Sequence, residues 1–173
     1  MKMNVTRINL GVLTVKDGKV IATDPCYQVK QSWCNHIIDI KNGDYVGKAT
    51  YGVVPFGWGE RVTELTINHE LTPKKKATKL IGRCAVDSGQ CGFFLVDDYT
   101  KYHPEKDTEE SEKWYKTACD ITCDDDAHCV GVMQSEGNPV GFVGESGIGD
   151  GVYNLYAGFN SRGEITALRL RYI

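Results

Sequence analysis

Nothing in this chain is apolar for long enough to cross a membrane, because no uninterrupted hydrophobic run approaches the roughly 20 residues that a spanning helix needs. The opening Met1-Lys-Met-Asn-Val-Thr-Arg-Ile8 also holds no apolar core of signal-peptide length. The expectation is a soluble protein of the cytoplasm with no membrane partner. An excess of charge of one sign is missing too. Twenty basic residues stand against 23 acidic ones, a net charge of -3, so the composition carries no electrostatic footprint for nucleic acid and names no partner. Prolines are few, 5 against 19 glycines, and the glycines are spread along the chain, which excludes a linker tract and suits short strands joined by tight turns. Seven cysteines cannot pair completely within one chain, and without a secretion signal they are expected to stay reduced, leaving burial or metal binding for each. No internal repeat and no catalytic motif of known spacing occur. The glycine loop from Gly144 to Gly151 leads into a strand pattern and not a helix, which excludes dinucleotide and Walker-type phosphate loops.

What is present is 173 residues, enough for a single domain (1–173) with a core of its own. Ile8, Leu10 and Val12 alternate with polar or glycine positions, Lys16-Asp17-Gly18-Lys19 turns, and Val20-Ile21-Ala22 resumes the pattern, which predicts a first hairpin. His36–Ile40 reads as a short strand and Asn42-Gly43 as a strong two-residue hairpin turn. Tyr45, Gly47, Ala49, Tyr51 and Val53 follow with period two, with Lys48 and Thr50 suited to solvent. Pro55–Gly59 is an aromatic, glycine-flanked loop. Val62–Leu71 returns as a strand whose His69 is expected to be a half-buried, satisfied imidazole. The lysine run within Thr72–Lys79 reads as a solvated connection. A central hairpin is expected across Asp87–Gln90, its return strand ending at Asp97-Asp98-Tyr99. His103-Pro104 stops an element, Asp107 and Glu110 make a capping-box arrangement, and Trp114, Ala118 and Ile121 share one helical face, which predicts a helix over about 108–121. The fold class is mainly β: an antiparallel β-sandwich or partly open barrel of eight to ten strands with one packed α-helix.

Three aspartates sit at strand ends beside conformationally special residues: Asp24 before Pro25, Asp87 near Gly89, and Asp150 before Gly151. If sheet closure gathers them with Ser88, and with Asp97 or Asp98, the carboxylates would hold a divalent cation through oxygen or sustain one raised pKa for acid-base work. Asp24, Asp87, Ser88 and Asp150 are therefore the candidate catalytic residues. Asp24, Asp87, Ser88, Gly89, Gln90, Asp150 and Tyr153 are the candidate ligand-binding set, with Arg61 or Arg83 as counter-charges. All are also ordinary turn and strand-end residues. A second set, Cys119, Cys123, His128 and Cys129, holds the ligand inventory of tetrahedral zinc, although adjacent ligands at 128 and 129 would point apart in a strand. Cys91 with His69 is a conceivable nucleophile and base without a local motif.

Thr23-Asp24-Pro25, Val86-Asp87-Ser88-Gly89-Gln90 with Gly92-Phe93-Phe94, and Gly149-Asp150-Gly151-Val152-Tyr153 resemble, in that order, the DP, VDSG and GDG-x-Y motifs of a family of bacterial and phage proteins without an assigned activity. The likeness spans most of the chain and leaves out Cys119–Cys129. It implies that the three aspartates belong to one recurring framework, and separations within roughly 10 Å would fit a shared site. It also implies a phage or mobile-element origin, in which case the location is the host cytoplasm. Two functions follow as expectations. The favoured one is a non-enzymatic accessory module binding a protein partner or small ligand; the alternative is a metal-assisted hydrolase of phosphoester-type substrates using the aspartates.

Overall fold

The period-two patterns become strands, and the strands stack as two sheets. A computed structural model describes residues 5–31, 33–54, 57–72, 76–102 and 107–173. Pro55 and Phe56 of the aromatic loop, Lys74 and Lys75 of the lysine run, and His103-Pro104 ahead of the expected helix lie outside the described residues. The elements are β1 (Val5–Val15), β2 (Lys19–Thr23), β3 (His36–Asp39), β4 (Gly43–Val53), β5 (Glu60–His69), β6 (Lys79–Val86), β7 (Gln90–Leu95), α1 (Val96–Tyr102), α2 (Glu109–Thr122), β8 (Val130–Ser135), β9 (Asn138–Glu145), β10 (Gly151–Phe159) and β11 (Ile165–Arg171). One sheet has the order β1-β4-β5-β11-β10-β6 and the other β3-β2-β7-β9-β8. The two sheets are antiparallel throughout and do not close into a barrel.

Three expected hairpins turn out to be arches between the sheets. The turns after β1, β3 and β6 each carry the chain from one sheet to the other, so β1 and β2, β3 and β4, and β6 and β7 are not backbone-paired. The turn chemistry is as expected, with Gly18, Gly43 and Gly89 all at positive φ. What differs is the relation of the flanking strands, which face each other through side chains across the core instead of through ladder hydrogen bonds. Hairpins form between β4 and β5, β8 and β9, and β10 and β11.

Between the sheets lies the main core, in which Leu13, Tyr45, Leu65, Ile67, Phe93, Phe142, Leu155 and Leu168 are fully buried. Gly47 leaves the space that the Phe142 ring fills: a Cβ there would stand 2.4 Å from the ring. Burying that one phenyl is worth about 2–3 kcal/mol. A second cluster, with Ile21, Phe94, Tyr99, Trp114, Met133 and Val143, packs both helices onto the outer face of the five-stranded sheet. The layers are therefore sheet, sheet, helices. This explains why β7 reads as a continuous apolar run, since both its faces are covered.

The predicted helix is α2. Its N-cap is Thr108, whose hydroxyl accepts from the Ser111 amide, one residue beyond the expected Asp107 cap. The short α1 was not anticipated: Asp97-Asp98-Tyr99, read as a strand end, opens a helix that seats Tyr99 in the core. His69 is the satisfied imidazole expected, edge-on to Tyr45 at 5.2 Å, with Nε2 3.1 Å from the Asn42 carbonyl oxygen and Nδ1 3.1 Å from the Thr72 hydroxyl. Among the described residues no helix is long and apolar enough to cross a membrane.

Candidate functional site

Pro25 removes a ladder donor just after β2, and the chain turns there, with the Tyr27 amide bonding back to the Asp24 carbonyl at 3.1 Å. That turn tucks the Asp24 carboxylate inward, where it is completely buried. Oδ1 accepts from the Cys26 amide at 2.8 Å and from the Ser88 hydroxyl at 2.6 Å. Oδ2 accepts from the Asp87 amide at 2.8 Å and the Ser88 amide at 2.7 Å. An ionised carboxylate has about four lone-pair sites, and here all are filled by donors. Asp24 thus fastens the end of the five-stranded sheet to the β6–β7 arch through charge-assisted bonds. The Tyr99 hydroxyl, lying against the Asp24 and Tyr27 carbonyl oxygens, ties α1 to the same turn.

The third motif joins the clasp from the other side of the arch. The Ser146 amide donates to the Gly89 carbonyl at 2.9 Å. The Ser146 and Tyr153 hydroxyls both donate to the Gly149 carbonyl, at 2.9 and 2.6 Å. Asp150 directly precedes the Gly151–Val86 pair, which places it beside Asp87 on the same rim. Gln90 reaches toward α2, donating to Cys119 Sγ at 3.3 Å, with its Oε1 3.4 Å from the Thr122 hydroxyl.

The three aspartates therefore share one rim but not one site. The carboxylate cluster is replaced by a clasp, because Asp24 meets the backbone of Asp87 and not its side chain, while the side chains of Asp87 and Asp150 are exposed. Asp97 and Asp98 start α1 at the far end of the sandwich from this rim. Among the described residues no group of three or more His, Cys, Asp or Glu is arranged to hold a metal ion. The zinc set is dispersed likewise. Cys119 accepts from Gln90, Cys123 is exposed at the end of α2, the His128 ring packs on Tyr51 at 4.8 Å, and the Cys129 thiol donates to Asp125 at 3.4 Å. Burial, the bond to Asp125 and the Glu145 carboxylate push the Cys129 thiol up to about 12. Cys91 and His69 lie at opposite ends of the sandwich, and burial raises the Cys91 thiol.

Two residues around Ser88 escaped the sequence reading. Cys26 sits against Asp24 and Ser88, its thiol raised by burial and then by the Asp24 charge. Tyr115 of α2 approaches the Ser88 hydroxyl, its phenol raised by burial against that hydrogen bond. The available signal was Tyr115's position beside Trp114 on the predicted helix, but nothing in the sequence pointed it at residue 88. The resulting Asp24-Ser88 pair has no imidazole. Were Asp24 to take the Ser88 proton it would lose the charge that strengthens its bonds from the Cys26, Asp87 and Ser88 amides.

A separate opening lies elsewhere among the described residues. A cleft of about 600 Å³ lies at the far end of the sandwich, between the β1–β2 arch, α1 and the β8–β9 hairpin. Lys16, Lys19, Asp98, Lys101 and Asn138 line it around an apolar floor that includes Leu95 and Val140. Burial raises the Asp98 carboxyl against the pull of Lys101. Arg61 and Glu145, 2.9 Å apart, bridge the two sheets at the motif rim. No family model, no curated protein and no solved structure matches this chain.

Proposed function

We propose that this protein is a non-enzymatic binding or accessory module. The observation that supports the reading is the saturated Asp24 carboxylate. Asp24 and Ser88 are spent on holding an arch, and the exposed Asp87 and Asp150 belong to no group of three or more His, Cys, Asp or Glu arranged to hold a metal ion among the described residues. The seven free thiols suit a reducing compartment, and we place the protein in the cytoplasm, that of a host cell if the chain is phage-encoded.

The test is turnover of p-nitrophenyl phosphate and bis-p-nitrophenyl phosphate with Mg²⁺, Mn²⁺ or Zn²⁺. The expected result is no hydrolysis above the metal blank. Metal-dependent hydrolysis that disappears in Asp87→Asn or Asp150→Asn would overturn the proposal, since both side chains are exposed and their loss leaves the fold intact.

A further inference from the structure

The near-even charge of the chain hides a division between its faces. Along the sequence, the stretch from Asp97 to Asp126 that contains both helices has 11 carboxylates and 4 lysines, whereas the remainder has 12 carboxylates against 16 lysines and arginines. Five of those 16 cations lie in two adjacent rows on the outer face of the six-stranded sheet, the side away from both helices. Strand register aligns Arg7, Thr50, Glu64, Arg171, Asn154 and Arg83 in one row running straight across all six strands. The adjacent row contains Lys48, Thr66, Arg169 and Tyr156. The two rows thus hold five cations and one carboxylate. Their length is about 24 Å, from five strand spacings of about 4.8 Å, and they lie roughly 7 Å apart.

Arg7, Lys48, Arg83 and Arg171 are exposed. Glu64 is engaged by Arg169 at 3.4 Å, so the one carboxylate of the strip is already neutralised. The Arg169 guanidinium also lies over the Tyr156 ring, 4.5 Å from its centre, and its Nε has no acceptor among the described residues. The strip therefore joins exposed cations, mostly arginines suited to bidentate phosphate contact and with Arg171 Nε also donating to the Ile173 carbonyl at 2.7 Å, to a half-exposed aromatic platform flanked by amide and hydroxyl groups.

We propose that this face binds single-stranded nucleic acid, with phosphates on Arg7, Lys48, Arg83 and Arg171 and an unpaired base stacked on the Arg169–Tyr156 pair. An acidic polypeptide would satisfy the cations but has no use for the aromatic platform, and a duplex keeps its bases out of reach of Tyr156. The acidic helical side faces away and orients the molecule toward a polyanion. This proposal rests on the binding-module reading but fails separately: phosphoester turnover would sink that reading, whereas the measurements below sink only this one.

Fluorescence anisotropy of roughly 15-nucleotide labelled RNA and DNA strands tests it, with the matching duplex and poly-glutamate as competitors. Binding of single strands is expected to weaken about fifty-fold between about 50 and 200 mM salt, the slope of four phosphate contacts at about -0.7 each. R7Q/K48Q/R83Q should weaken binding roughly tenfold or more at low salt with an unchanged melting temperature, and Tyr156→Ala roughly fivefold or more. No strand binding at about 50 mM salt overturns the proposal. So does competition by poly-glutamate or duplex equal to that by unlabelled single strand, or a Tyr156→Ala protein that binds as the wild type does.

Discussion

The motif rim and the outer face of the six-stranded sheet carry their polar residues in opposite ways. On the rim, Asp24, Ser88, Gln90, Ser146 and Tyr153 are each bonded within the chain, Asp24 fully buried, while the neighbouring Asp87 and Asp150 side chains stay exposed. On the sheet face, Arg7, Lys48 and Arg83 belong to no motif and are free to meet something outside the molecule. A polar group buried with all its partners stabilises the fold, because removing it strands several donors at once. A charge at an exposed strand position contributes little to stability and is available for binding. Conspicuous residue types therefore mark the clasp, and inconspicuous ones the candidate binding surface.

The sharpest way to break this contrast is Asp24→Ala. It leaves the amides of Cys26, Asp87 and Ser88 without their acceptor and should cost about 3–5 kcal/mol, read from the urea midpoint at constant slope. Asp87→Ala and Asp150→Ala should each stay within about 0.5 kcal/mol of wild type. Equal costs for all three would mean that the rim is a charge cluster after all.

A mid-sized effect is expected from Gly47→Ala. The added methyl meets the Phe142 ring, and a packed core resists such insertion at about 1–3 kcal/mol. If Gly47→Ala is neutral, the sheets are less tightly apposed than the Phe142 contact implies.

The smallest effect is in the alkaline limb of stability. The Cys129 thiol is raised from 9.0 to about 12 in the folded protein, so the folded state keeps its proton where the unfolded chain has lost it. Its contribution is full below pH 9 and is lost as the pH rises from 9 toward 12. Cys129→Ser, which does not titrate there, should flatten that limb in denaturant titrations at stepped pH. An unchanged limb would show that other raised groups, such as Tyr45 and Cys26, dominate it.

Much of the fold was legible because its signals are local. Strand positions follow from alternation of residues such as Tyr45 and Ala49 with Lys48 and Thr50, and turn positions from glycines that adopt positive φ, a property of one residue and its neighbours. The helix α2 was legible for the same reason, through the spacing of Trp114, Ala118 and Ile121. The short α1 was not, because Asp97-Asp98-Tyr99 reads equally well as a strand end, and only the pocket for Tyr99 beside Phe94 and Trp114 decides for helix.

By itself, the sequence determined where the chain runs straight, where it reverses, and that the DP, VDSG and GDG-x-Y segments sit at strand ends. Tertiary structure alone decided what those reversals join. A turn such as Asp87–Gln90 serves a hairpin or an arch equally well, and the choice depends on which side chains are buried against which, a sum over distant contacts. The same holds for Asp24, whose decisive partners lie 63 and 64 residues further along the chain. It also holds for the cation rows, whose members run from Arg7 to Arg171 and come into line only through the register of six strands.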